Sequence, residues 1–251
     1  MKKTILTMVG VLMSILALAQ AVSLRAYCPD QQGQDGATCA SYAPVYTALS
    51  TQYNALHHYR SGDPQFTVFS YGFVASKIKA GKNLLVRLFT RCGWNVQADL
   101  ALDVLKETGT VFQDQFPYTC SCSKQQKVQA VTPTFKIKDY QLLGDTTTAP
   151  ERHLAAIKDA LNHQCPVIIS LLQTDFFHKN QATDVVFPSN YQREEADANH
   201  VICIVGYDDN RRGGSFLVKN NYVDWAGDQG YAYVRYDDLF KLIRYSYRMA
   251  I

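Results

Sequence analysis

A cysteine at the start of a predicted helix is the first residue of this sequence that could carry out chemistry. Residues 30–42 are polar and contain two glycines, whereas the residues that follow have helical spacing of apolar side chains. The change of pattern falls at Cys39. The partial positive charge at the amino end of a helix favours a thiolate over a thiol. Because the thiolate is the reactive form, Cys39 is the candidate nucleophile.

Two later segments complete a pattern with Cys39. Residues 199–207 read N-H-V-I-C-I-V-G-Y, and residues 216–222 read F-L-V-K-N-N-Y. Together with the segment around Cys39, in the order Cys, His, Asn, they resemble the papain-like, or cathepsin-type, cysteine peptidases. The resemblance runs in patches over residues 30–233. Bacterial origin is suggested by the short, lysine-led N-terminus.

The resemblance implies a role for each of three residues. Cys39 would attack a peptide carbonyl, His200 would carry the proton, and the side-chain amide of Asn220 would hold the imidazole. A thiolate–imidazolium pair would stabilise both charges and lower the pKa of the Cys39 thiol. The product of the attack is a thioester, which water hydrolyses.

The family also uses a glutamine, followed by a glycine, to donate a hydrogen bond to the oxyanion. That glutamine lies six residues before the nucleophile, where this sequence has Gly33. One inserted residue would bring Gln32 into the role, so we predict Gln32 as the donor, with Gln34 as the alternative. The backbone N–H of Cys39 would be the second donor.

Four residues are predicted to contact the substrate. Relatives carry a glycine pair after a cysteine, whereas here Gly93 is followed by Trp94, which predicts an altered cleft wall. Asn199 precedes the candidate histidine. Tyr222 stands where relatives have a tryptophan that shields the His–Asn hydrogen bond.

We expect mostly helices in the first half of the chain, and one helix followed by strands in the second. A helix is predicted from Cys39 to about residue 59, followed by helices over residues 98–108 and 150–164. Residues 84–89 could be strand or helix. Buried strands are predicted over residues 165–171, 201–205, 216–219 and 230–235, with a long polar loop over residues 173–198. Four histidines are predicted to lie at the surface: His57, His58, His153 and His163.

Composition limits the class of partner. The chain has 251 residues, 47% of them apolar, and a net charge of +3 to which Lys2 and Lys3 contribute two. The remainder is nearly neutral, which argues against nucleic acid as the main partner. The predicted partner is a peptide or protein substrate, with no cofactor and no metal.

The N-terminus has the pattern of a signal peptide. Basic residues precede an apolar run over residues 5–19, and cleavage sites of small residues end at Ala19 and at Ala21. This run is short for a membrane span, so we expect a secreted or periplasmic protein with no stable membrane insertion after processing. Only about twenty residues would then precede Cys39. We therefore expect no inhibitory propeptide, and restraint by secretion, by narrow specificity or by a separate protein inhibitor.

An odd number of cysteines leaves at least one free thiol. If Cys39 is free, the other six allow 15 pairings. The pair Cys120 and Cys122 lacks the second pair of a zinc site. A disulfide from this pair back to Cys92 is the better interpretation.

We therefore predict an α+β, papain-like fold. A signal peptide over residues 1–21 precedes a mostly helical half over residues 22–125, which carries Cys39. A half rich in antiparallel strands and resembling a β-barrel, residues 126–251, carries His200 and Asn220, with the active-site cleft between the halves.

The predicted function is a secreted cysteine-type peptidase. Two alternatives use the same fold. The altered glycine pair, Tyr222 and the shifted glutamine would also suit a catalytically inactive peptide-binding protein. A thiol-dependent amide transferase would pass the thioester to an amine instead of water.

Overall fold

The candidate nucleophile begins a long helical stretch, as its sequence pattern predicts. A computed structural model describes residues 20–93, 96–188, 191 and 198–251. Helix α1, Cys39–Ser41, continues as a π-helical segment, Tyr42–Leu49, and as α2, Ser50–His57. Every residue of the π-helical segment is buried. This helix therefore passes through the interior of the protein.

The other helices lie on both sides of the sequence midpoint. Helix α4 includes residues 84–89, which the sequence left undecided, and Asn83 caps it by accepting a hydrogen bond from the N–H of Val86. The remaining helices are α3 (Tyr71–Ala80), α5 (Ala98–Glu107), α6 (Cys122–Val131), α7 (Pro150–Asn162), α8 (Asp175–His178) and α9 (Tyr236–Phe240), with short 3₁₀ turns at Arg25–Tyr27 and Trp225–Gly227.

One sheet holds the described strands. They are β1 (Ala21–Ser23), β2 (Asp139–Asp145), β3 (Val167–Gln173), β4 (Asp184–Val185), β5 (Ala198–Asp208), β6 (Ser215–Lys219), β7 (Tyr231–Arg235) and β8 (Ile243–Ala250). Their order is β2-β8-β3-β5-β6-β7-β4, and β1 pairs with β5. All pairs are antiparallel except β4 with β7. The described strands form an open sheet, so the α+β prediction is confirmed, whereas these strands do not close into a barrel.

The first strand belongs to this sheet although it precedes the helices. Ala21 lies opposite Asp208 and Ser23 opposite Gly206. Residues 21–23 therefore join the strand-rich part of the molecule, and the chain crosses to the helices only afterwards. The boundary near residue 125 stays a prediction, and the proposed signal peptide lies mostly outside the described residues.

Two sequence predictions were wrong in detail. His153 is buried rather than at the surface, and its Nε2 lies 2.5 Å from Ser246 Oγ, which compensates for the loss of water. Residues 173–198 are not one loop, because α8 and β4 lie within them. His57, His58 and His163 are exposed as predicted.

Candidate active site

Cys39 is the first residue of α1, and this helix packs against β5. The thiol is only partly exposed. Burial raises the pKa of Cys39 above its ordinary value, while backbone N–H groups, first that of Val201, act in the opposite direction. The predicted lowering of this pKa was wrong for the free protein, because the loss of hydration outweighs the backbone N–H groups of Val201, Ala40 and Cys39.

His200 and Asn220 form the second part of the site. His200 Nε2 lies 2.9 Å from Asn220 Oδ1, and both residues are buried. The N–H of Asn221 also donates to this oxygen, at 2.7 Å. A backbone N–H can only donate, so this atom of Asn220 is the carbonyl oxygen and His200 Nε2 must carry the proton. Neutral His200 therefore has an unprotonated Nδ1 that can accept a proton.

Burial also keeps this imidazole neutral. It lowers the pKa of His200 to about 4, although the hydrogen bond with Asn220 raises it, and nearby His178 lowers it further. Because the pKa of Cys39 is raised and the pKa of His200 is lowered, the two groups are a thiol and a neutral imidazole at neutral pH.

Tyr222 covers one face of the imidazole. Its ring is nearly parallel to that of His200, with an interplanar angle of 8° and centroids 5.0 Å apart. His178 packs edge-on against the ring of Tyr222, with the two ring centroids 5.2 Å apart. His178 also contacts Gln173, whose Nε2 lies 2.7 Å from its Nδ1. The sequence analysis missed His178 and Gln173, since both lie in the segment predicted to be a loop.

The two candidate oxyanion donors have different surroundings. Gln32 is exposed. Gln34 is held by Asn221, whose Nδ2 donates to Gln34 Oε1 at 2.9 Å, while Gln34 Nε2 donates to the carbonyl of Gly36 at 2.6 Å. Buried Asn221 also donates to the carbonyl of Val201, at 2.8 Å. Asn221 thus ties the segment before Cys39 to the strand that carries His200, a role that the sequence analysis missed.

A cavity of about 240 Å³ opens beside the nucleophile. Its lining includes Cys39, Gly93, Asn199, Val201 and Arg244. The structure therefore brings two of the predicted substrate-binding residues, Gly93 and Asn199, to the nucleophile. Tyr222 lies at His200 instead, and Trp94 is outside the described residues.

Gly93 needs to be a glycine for reasons of space. Its φ is +82°, and a Cβ atom there would lie 2.2 Å from the carbonyl oxygen of Ala37. The preceding residue, Cys92, forms a disulfide with Cys120. This confirms the predicted link back to Cys92, and the other five cysteines are free. The disulfide therefore lies directly next to Gly93 in the sequence, and Gly93 lines the cavity.

A match to a family model over more than half of the chain shows which family this protein belongs to. Residues 89–243 match the model described as "papain family cysteine protease". The chain belongs to the papain family. It is therefore a member of a family of cysteine-type peptidases, as the motifs around Cys39, His200 and Asn220 indicated. A search of curated protein sequences finds no significant match.

Solved structures share the papain-family fold. Xylellain, a cysteine protease from Xylella fastidiosa, is 18% identical, with a TM-score of 0.62 over 92% of this chain and 85% of that one. Digestive procathepsin L 3 of the Tenebrio molitor larval midgut is 16% identical, with a TM-score of 0.66 over 95% and 72%. Bromelain from Ananas comosus, solved with the inhibitor E64, is 14% identical, with a TM-score of 0.64 over 92% and 99%. At these identities the likeness shows the fold.

Among the described residues, no group of three or more His, Cys, Asp or Glu side chains could hold a metal ion. No helix in the same part of this papain-family chain has the length and apolar character needed to cross a membrane.

Proposed function

We propose that this papain-family protein is a secreted peptidase that hydrolyses peptide bonds with Cys39, His200 and Asn220. The observation that carries the proposal is the orientation of His200. Asn220 Oδ1 accepts the Nε2 proton and leaves Nδ1 as the proton acceptor, while Cys39 begins the helix packed on the same strand.

The reaction starts from the neutral pair. His200 Nδ1 takes the thiol proton of Cys39 as the sulfur attacks the substrate carbonyl carbon. The tetrahedral oxyanion accepts hydrogen bonds from the N–H of Cys39, which has no partner inside the helix, and from a glutamine. His200 then gives the proton to the leaving amine, the C–N bond breaks, and a thioester remains.

Water completes the cycle. Neutral His200 takes a proton from water, which attacks the thioester carbonyl, and the proton returns to the sulfur as the C–S bond breaks. The products are an amine and a carboxylic acid, and the Cys39 thiol is restored. Tyr222 and Asn220 support this cycle by holding the imidazole in one orientation.

The test is intact mass of the protein after exposure to E-64, an epoxysuccinyl inhibitor that reacts with the nucleophilic cysteine of papain-type sites. We expect one inhibitor bound per wild-type chain and none to Cys39→Ala. Cys122→Ala is the matched control, because Cys122 is a free and partly exposed cysteine that is not among the residues lining the cavity, and this variant should still bind one inhibitor. Wild type that stays unmodified with a free Cys39 thiol would contradict the proposal and favour the inactive peptide-binding protein.

Hydrolysis and transfer are separated with one peptide substrate. With and without an added primary amine, a peptidase releases mainly the free acid, whereas a transferase forms the amide and hydrolyses little. A dominant amide product would replace hydrolysis with the transferase function.

The oxyanion donor is assigned by comparing two alanine variants. The anchored side-chain amide of Gln34 supports this residue as the donor, although the sequence spacing favoured Gln32. Loss of the donor should reduce kcat by about 10²–10³. We expect that loss in Gln34→Ala and only a few-fold change in Gln32→Ala. The reverse result would assign Gln32, and near-normal kcat in both variants would exclude both residues.

A further inference from the structure

A β-bulge places one arginine at the cavity beside Cys39. In the pairing of β3 with β8, Ser170 lies opposite Tyr245 and Leu171 lies opposite Ile243. One step along β3 therefore corresponds to two steps along β8, and Arg244 is the extra residue. Such a bulge locally breaks the alternation of side chains and re-aims one of them. Here Arg244 joins the cavity lining.

The guanidinium of Arg244 can donate further hydrogen bonds. Its Nη1 donates to Asn199 Oδ1 at 2.7 Å, and Asn199 precedes His200 in the sequence. Arg244 makes no salt bridge with any described residue, and it is the only charged side chain among those described in the cavity lining. A guanidinium has five N–H donors, so a neutral amide at one of them leaves its positive charge without a described carboxylate partner.

We propose that the cavity beside Cys39 binds an acidic side chain of the peptide substrate, with Arg244 as the specificity-determining residue. This inference rests on the proposed peptidase function and adds the class of its substrate. A Glu or Asp side chain close to the scissile bond would place its carboxylate against the arginine. The planar guanidinium can bind both oxygens of such a group.

The position of the charge strengthens the preference. Arg244 is only partly exposed and lies in a cavity, where salt screens a pair less than on an open surface. A neutral or basic side chain placed there would leave the arginine without its charge partner. Discrimination against such substrates therefore comes from loss of an ion pair, as well as from fit.

The experiment uses fluorogenic peptides that differ at one position near the scissile bond, carrying Glu, Gln or Lys, with each position scanned in turn. At one position we expect kcat/KM of wild type for Glu to exceed that for Gln by on the order of 10-fold or more, with a smaller ratio at high salt. The Glu-to-Gln ratio should fall to about 1 in Arg244→Gln by loss of the ion pair. Arg244→Glu should prefer Lys.

Arg248→Gln is the matched control. Arg248 lies on the same strand but outside the cavity, where it pairs with Asp159 at 3.1 Å. Its replacement should keep the wild-type Glu-to-Gln ratio. A wild type that cleaves neutral peptides without an acidic preference at any position would overturn the inference and leave the peptidase function intact.

Failure of catalysis has a different signature. The inactive Cys39→Ala variant can bind the same peptides without cleaving them. If wild type cleaves none of the peptides, tighter binding of the Glu peptide, lost on the further change Arg244→Gln, would support the cavity assignment and contradict the peptidase function. Equal binding of Glu and Gln peptides would overturn the assignment.

Discussion

At the scale of single residues, one backbone N–H determines how the imidazole can act. The N–H of Asn221 donates to Asn220 Oδ1, so this oxygen cannot be exchanged with the amide nitrogen, and His200 must donate to it from Nε2. The buried Asn220 Nδ2 has no hydrogen-bond partner among the described residues. An unsatisfied buried donor costs free energy, so this orientation is maintained at the expense of stability.

The pH dependence of activity should report the pKa of His200. Only neutral His200 can accept the thiol proton, and its pKa is about 4. We therefore expect kcat/KM to fall as the pH drops through about 4, well below the ordinary range of histidine. Asn220 raises this pKa through its hydrogen bond, so Asn220→Ala should move the acidic limb to lower pH and reduce the rate. An acidic limb at or above pH 6.5 would contradict this.

At the scale of elements, the cavity wall depends on the close approach of two backbone segments. Gly93 approaches the carbonyl of Ala37, two residues before the nucleophile, and its positive φ is one that other residues rarely adopt. A side chain there would push apart the wall and the segment that leads into α1. The geometry of the cavity is therefore built into the backbone.

Gly93→Ala should destabilise the protein by more than its φ alone requires. Gly213 is the matched control, since its φ of +78° is nearly the same as that of Gly93 and a Cβ atom there meets nothing within 4 Å. We expect Gly213→Ala to lower the free energy of unfolding by about 1 kcal/mol and Gly93→Ala by clearly more. Urea denaturation of the two variants measures the difference. Equal losses would mean that the backbone contact relaxes freely.

The helices and strands that the sequence predicted are those whose apolar side chains recur at a regular spacing or form a continuous run. Helices α5 and α7 and strand β3 bury one face or a continuous run, and each was predicted. Helix α6 buries only Gln125 among its described side chains, so its polar sequence gave no stripe. The π-helical segment Tyr42–Leu49 is buried all round, which hides its departure from α-helical geometry.

The residues of the candidate site that the sequence predicted are those that lie in short, recognisable motifs. Cys39, His200 and Asn220 have distinctive neighbours in the sequence, whereas Arg244 reaches the cavity through a bulge between distant strands. His153 was placed at the surface because its partner, Ser246, is 93 residues away. Contacts of this kind depend on strand register, which one sequence does not specify locally.

At the scale of the whole molecule, buried histidines should make the fold sensitive to acid. Burial lowers the pKa of His200 to about 4 and also lowers that of His153, whereas an unfolded histidine titrates near 6.5. Between these values the unfolded chain binds more protons than the folded one. The contribution to stability is therefore fully present above pH 6.5 and is lost as the pH falls towards 4.

We expect the free energy of unfolding to decrease between pH 6.5 and 4.5. The shift of His200 corresponds to at most about 3 kcal/mol once both limits are reached. This window lies above the ordinary pKa of carboxyl groups, which separates the two causes. His153→Gln should reduce the slope measured by denaturant titration at several pH values. A flat profile over this window would show that neither histidine resists protonation.

The contacts of Gln20 distinguish the two predicted cleavage sites. Its carbonyl accepts from the N–H of Asp209 at 3.0 Å, its own N–H lies 3.2 Å from Asp209 Oδ2, and its side chain accepts from the hydroxyl of Tyr207 at 3.1 Å. Processing after Ala19 keeps these bonds and places a new ammonium group beside Asp209. Processing after Ala21 removes them, together with the first pair of β1 with β5.

We therefore expect the mature protein to begin at Gln20. Intact mass and N-terminal sequencing of protein recovered from an exporting host measure this directly. A chain that begins at Val22 would contradict the argument from these bonds. A chain that begins at Met1 would contradict the export signal itself.

The disulfide beside the cavity sets an upper limit on how reducing the working medium can be. Cys39 must be a free thiol to react, whereas Cys92 is joined to Cys120 and directly precedes Gly93, which lines the cavity, so we expect the cavity to need this disulfide. A reductant therefore has two opposite effects. It keeps the Cys39 thiol reduced and active, and it breaks the Cys92–Cys120 disulfide beside the cavity. As thiol reagent is added, we expect the rate to rise, pass through a maximum and fall, instead of reaching a plateau. An oxidising extracytoplasmic environment with mild reductant satisfies both requirements at once.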